Sequence, residues 1–88
     1  MVQRSVVIAS KVGLHARPAA LFTKAATAAG MPITIRKAGG EPVPATSILS
    51  VLTLNAANGD EVTLEAEGDG ADLTLDQLVA LLAQDLDA

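Results

Sequence analysis

The chain has no cysteine, tryptophan or tyrosine, and Phe22 is its only aromatic residue. Without thiols, a disulfide framework and thiolate metal sites are both excluded, which agrees with a reducing compartment. With one aromatic ring there is no platform on which nucleic-acid bases could stack. The core must then be assembled from Leu, Val, Ile and Ala packed between helices and a sheet. No apolar run approaches the roughly 20 residues a membrane span requires, and no basic segment followed by an apolar stretch opens the chain. The expectation is a cytoplasmic protein without membrane insertion. Its 88 residues suit one domain, 1–88, large enough for a core that needs no disulfide or metal staple.

Basic residues are missing from the second half. Arg4, Lys11, Arg17, Lys24, Arg36 and Lys37 all precede position 40, whereas all 10 acidic residues follow it, for a net charge of −4. If this separation persists in space, the half carrying the single histidine, His15, attracts anions or an acidic partner and the other half repels nucleic acid. The basic residues have no aromatic partners, so nucleic acid is not an expected ligand. One histidine without cysteine offers no zinc set, and "EGDGAD" misses the calcium-loop spacing and reads as a solvated turn, so no metal and no cofactor are expected.

Residues 2–9, rich in β-branched side chains, read as a strand that stops at a Ser-Lys-Val-Gly loop. From Ala16 to Ala29 the alanine-rich composition predicts a helix, stopped by Gly30 and Pro32. "PITIRKA" alternates as a strand and ends at Gly39-Gly40. Pro42 and Pro44 confine "EPVPA" to a sheet edge, paired with the strand before the glycines. "SILSVLTL" reads as a short helix capped by Thr46-Ser47. Asn58-Gly59 is a turn signal, after which Val62, Leu64 and Ala66 alternate with polar residues as the clearest strand. Leu75, Leu78, Val79, Leu82 and Leu86 fall on one helical face. A capping box formed by Thr74 and Gln77, with a Leu73–Leu78 staple, starts that helix at Leu75, and a cap at Asp72 is the competing start. The order βαββαβα implies an α+β fold, an antiparallel sheet with helices on one face and solvent on the other.

The stretch "VGLHARPAA" places His15 at the N-cap of the first helix, with Arg17 in its first turn and Pro18 where a missing N–H costs nothing. Histidine is not a favoured cap, so its presence invites a functional explanation beside the plain one of an ordinary capping residue. Free N–H groups and the positive end of the helix dipole converge there on any anion bonded to the ring. Phosphate suits the place, because Arg17 can bind phosphoryl oxygens in pairs and a neutral imidazole is a nucleophile near neutral pH. Gly13 serves either the loop that presents His15 or a plain turn. Ile48, Leu49, Val51, Leu52 and Leu54 point almost all round a short helix, so one core layer cannot bury them all. With Ala20 and Leu21, the exposed part would form a partner surface ringed by Arg17 and Lys24.

"GLHARPAA" resembles the phosphorylation motif of the histidine-containing phosphocarrier (HPr) family of the phosphoenolpyruvate:sugar phosphotransferase system. Length, element order and "TSILSV" are similar along essentially the whole chain. The resemblance implies an open-faced β-sandwich of four antiparallel strands and three helices. It also implies a phosphoryl carrier rather than a turnover enzyme: His15 takes phosphate on Nδ1 from enzyme I and passes it to sugar-specific A components, with Ala16, Arg17 and Pro18 around the phosphoryl group. Docking is assigned mainly to Leu49 and Leu52, beside Ala20, Leu21, Lys24 and Ile48, on a monomer. Ser47 aligns with a serine that a dedicated kinase phosphorylates in some Gram-positive relatives. Thr46, where a lysine often stands, and Ser50, where glycine is common, depart from that pattern, and the residue itself reads as a helix cap. Other readings stay open: a relay in a nitrogen-regulatory or dihydroxyacetone-kinase branch, or an interaction module whose histidine is merely a cap. A hydrolase using His15 as base lacks any accompanying nucleophile or metal constellation.

Overall fold

The structure is a computed structural model and describes residues 1–85. The elements follow the order β1 (Val2–Val7), α1 (Ala16–Ala28), β2 (Ile33–Lys37), β3 (Val43–Pro44), α2 (Ile48–Thr53), β4 (Glu61–Ala66) and α3 (Ala71–Leu82). The strands form one antiparallel sheet in the order β1-β4-β2-β3. The last strand to form in sequence, β4, thus fills the centre, with Val6 opposite Val62 on one side and Ile35 opposite Leu64 on the other.

Alternation explains the layering. Val62, Leu64 and Ala66 are buried while Glu61, Thr63 and Glu65 face away, as a period of two requires of a sheet covered on one side. The helices cover the buried side: α1 packs on α2 and α3, and α3 packs on β1 and β4. Phe22, Leu14, Ile35, Val51, Leu64 and Leu75 are fully enclosed there; a side chain of this size contributes about 1.5–3 kcal/mol when buried. β3 is a two-residue edge strand pairing Thr34 with Pro44 and Ile35 with Val43, which leaves Pro44, with no N–H to donate, at the rim.

Several boundaries differ from the sequence reading. β1 ends at Val7 rather than residue 9: Ile8 N–H still bonds Asp60 O in register with the ladder (2.9 Å), but Ile8 O accepts from Gly59 N–H (2.9 Å) and Ala9 N–H turns away to Leu82 O (3.2 Å). The last helix begins at Ala71, ahead of both expected caps. Gly70, at φ 82°, is the N-cap, and its carbonyl accepts from Thr74 N–H at 3.0 Å. Asp72 lies inside the first turn, and Leu73 is 64% exposed, so no staple forms. Burial of Ala71 anchors that turn to the core, and a left-handed glycine provides the reversal a side-chain cap would otherwise support. Leu86 lies outside the described residues.

The charge separation survives only in part, since the sheet brings distant segments together. Arg4 pairs with Asp72 (3.2 Å) and Asp76 (3.0 Å), Arg36 with Glu65 (3.3 Å), and Lys37 with Asp60 (3.5 Å). Lys11, Arg17 and Lys24 make no ion pair among the described residues, and all three belong to the His15 loop or to α1.

Candidate functional site

His15 is the N-cap of α1, in extended backbone (φ −97°, ψ −165°), and its side chain makes no capping hydrogen bond. The ring is exposed. The first intrahelical bond runs from Ala19 N–H to His15 O at 2.8 Å, so the amides of Ala16 and Arg17 have no acceptor within the helix. Pro18 is buried and has no N–H, which limits its part to setting the backbone angle of the first turn; Ala16 and Arg17 are exposed. No acidic residue stands in that turn, leaving its positive dipole end unopposed.

The loop that presents the ring is held from behind. Gly13 N–H closes a turn onto Ser10 O at 2.9 Å, and Leu14 N–H reaches Ala56 O at 2.8 Å while its side chain enters the core. Gly13 serves close approach as well as turn geometry. It adopts φ 74°, and a Cβ there would lie 2.5 Å from Ala56 O and 2.9 Å from Ala57 Cα. The opposing loop is itself braced. Ala57 and Asp60 exchange bonds, Asp60 N–H to Ala57 O (3.0 Å) and Ala57 N–H to Asp60 Oδ2 (2.9 Å). Between them Gly59 supplies the positive φ, 89°, that the turn needs. The Ala57 N–H, and then Lys37, hold the Asp60 carboxyl below its ordinary range. Lys37 Nζ also donates to Asn55 O at 3.4 Å, at the end of α2.

Sequence reasoning missed Asn58. Its Nδ2 donates toward Ala9 O (3.1 Å), Ser10 O (3.2 Å) and Ile8 O (3.4 Å). Asn58-Gly59 is visible in sequence as a turn, but nothing there says where the carboxamide points. Val12, 53% exposed in the same loop as His15, is an apolar residue that the motif did not single out.

The remaining candidates divide by burial. Leu49 is 74% exposed, Leu21 41% and Ile48 38%; Ala20 and Lys24 are exposed as well. Val51 is core, and Leu52 is half-buried against it. Since α1 packs on α2, the exposed apolar residues sit on one packed helix pair. Ser47 caps α2, its Oγ accepting from Ser50 N–H at 3.3 Å. Among the described residues no group of His, Asp or Glu has the arrangement of a metal site, and no helix is long and apolar enough to cross a membrane. An apolar groove lined by Ala25, Ala29, Leu78 and Leu81 lies toward the opposite end of α1 from His15.

Residues 2–84 match the family model described as "PTS HPr component phosphorylation site". The chain belongs to the HPr family. It is 47% identical over 87 residues to the phosphocarrier protein HPr of Streptomyces coelicolor, covering 99% of this chain and 94% of the relative. Among solved structures, HPr-C-His from Thermoanaerobacter tengcongensis superposes with a TM-score of 0.90 at 35% identity, covering 100% of this chain and 98% of that one. An HPr dimer from the same organism gives 0.74 at 36% identity, with 98% of both chains covered. HPr proteins are phosphocarriers of the phosphotransferase system, and the four-stranded open sheet with three helices found here is their architecture.

Proposed function

We propose that this HPr-family chain carries a phosphoryl group on His15 Nδ1, accepting it from the phosphohistidine of enzyme I and passing it to a histidine of sugar-specific A components. In each transfer the Nδ1 lone pair attacks phosphorus as the P–N bond to the donor ring breaks, and the donor nitrogen recovers its own lone pair. The donor ring carries a proton on its other nitrogen and departs as neutral imidazole, while His15, which keeps its Nε2–H, becomes the phosphoimidazolium; no cofactor takes part. The chain's contribution is positional and electrostatic, as suits phosphoryl transfer. Ala16 and Arg17 N–H and the Arg17 guanidinium face the phosphoryl oxygens, and the open surface admits successive partners in line. Leu49, Leu21 and Ile48, with Ala20 and the margin of Leu52, form the docking face, and Lys11, Arg17 and Lys24, which form no ion pair among the described residues, favour acidic partners. Ser47 acts in this reading as a helix cap. Residues 1–88 work as one HPr-like domain, a monomer in the cytoplasm.

The observation that carries the reading is an exposed imidazole at a helix start whose amides are free and whose first turn holds no carboxylate. Incubation with enzyme I, magnesium and phosphoenolpyruvate is expected to give one acid-labile, base-stable phosphate per chain, and none in His15→Ala. Stoichiometric labelling of His15→Ala overturns the site, and an unlabelled wild type beside a competent donor overturns the relay.

A further inference from the structure

We infer that Asn58 is a positioning residue for phosphotransfer, whose carboxamide sets where the His15 ring stands before the helix terminus. The inference rests on the phosphocarrier reading above. Asn58 lies on the loop before β4, 43 positions from His15 in sequence, and its Nδ2 gathers three successive carbonyls, Ile8, Ala9 and Ser10, within 3.1–3.4 Å. A carboxamide nitrogen has two N–H groups, so at least one is shared. These carbonyls are where the chain leaves β1 and begins the loop to α1. Ser10 O is the critical one. It accepts both from Asn58 and from Gly13 N–H (2.9 Å), so the side chain grips the oxygen that closes the turn before Leu14 and His15.

A second tie fixes the same geometry from the same loop, the bond from Leu14 N–H to Ala56 O (2.8 Å). Around Asn58, Gly59 N–H bonds Ile8 O (2.9 Å) and Ile8 N–H bonds Asp60 O (2.9 Å), which keeps the two loops in register if the side chain is removed. Losing the carboxamide therefore removes the side-chain donor from Ala9 O and leaves Ser10 O with the Gly13 N–H bond of the turn but without the grip from the opposing loop, while the backbone ties at Ile8 remain. The 10–14 turn loosens, and with it the placement of the ring against the Ala16 and Arg17 amides.

The test compares wild type with Asn58→Ala and with Asn58→Asp, which keeps the side-chain shape but sets acceptors against the three carbonyls. Steady-state phosphorylation by enzyme I and phosphoenolpyruvate is expected to show kcat reduced about tenfold in Asn58→Ala and more in Asn58→Asp, with KM unchanged, because docking residues are untouched. Amide exchange of Leu14 is expected to quicken about tenfold while that of Leu64, in the centre of the sheet, stays as in wild type. A raised KM with unchanged kcat means only that less folded acceptor is present and overturns the inference, as does Leu14 exchange equal to wild type. Should Asn58→Asp not fold, Asn58→Ala decides. If wild type itself takes no phosphoryl group, the phosphocarrier reading fails, and with it the kinetic role; Leu14 exchange then still reports whether Asn58 holds the loop.

Discussion

At Gly13 two demands meet that no other residue satisfies. The backbone is left-handed at φ 74°, and the missing side chain lets Ala56 O approach to accept from Leu14 N–H. Alanine there carries both the conformational cost and an overlap with main-chain atoms that cannot rotate aside. Gly13→Ala is expected to lose about 3 kcal/mol in urea unfolding, and Leu14 N–H should lose its protection, since the loop must withdraw from Ala56. Gly30, equally left-handed but with open space around its missing Cβ, meets only the first demand. The comparison separates a glycine that ends a helix from one that lets two loops touch.

The short helix α2 shows how one element divides its side chains between stability and recognition. Val51 is enclosed, Leu52 is half-buried, and Leu49 projects into solvent. Ser47 holds the N-terminus of α2 through Ser50 N–H, and Lys37 holds the chain just past its C-terminus through Asn55 O, so so small a helix keeps a defined orientation. Because Leu49 has little to lose on unfolding, Leu49→Asp is expected to move stability by no more than about 0.5 kcal/mol. If the exposed apolar face is where partners dock, the same change raises KM for phosphorylation by enzyme I about tenfold, with kcat largely retained. This is the reverse of the pattern expected for Asn58.

For the molecule as a whole, the interleaved sheet converts a chain with all its cations in front and all its anions behind into one with ion pairs around the sheet, while Lys11, Arg17 and Lys24, on the His15 loop and α1, form none among the described residues. The pairing also links stability to pH. Asp60 is held below the ordinary carboxylate range by Ala57 N–H and then by Lys37, so it stays ionised to lower pH in the folded than in the unfolded chain. Its contribution is complete above the unfolded carboxyl pKa, about 3.9, and is lost as pH falls through the lower folded value. Urea midpoints of wild type and Asp60→Asn measured from pH 6 downward are therefore expected to converge below about pH 4. A constant difference would mean that the Asp60 carboxylate does not stabilise the fold.

Local pattern carried much of this. The alternation of β4, the glycine and proline punctuation around β2 and β3, and the Ser47 cap are short-range effects of side-chain size, backbone freedom and hydrogen bonding, so they were legible without coordinates. The His15-Ala-Arg-Pro start is equally local, since a helix terminus and its free amides arise within a few residues. Tertiary structure alone decided the rest. The start of α3 at Ala71 depended on a core that rewards burying that alanine, and the pairing of Arg4, Arg36 and Lys37 with distant carboxylates depended on which strands the sheet made neighbours. Asn58 reaches the His15 loop only because β4 enters the sheet beside β1. A side chain's partner across such a distance is set by the packing of whole elements, whereas composition and spacing report only what each segment can do by itself.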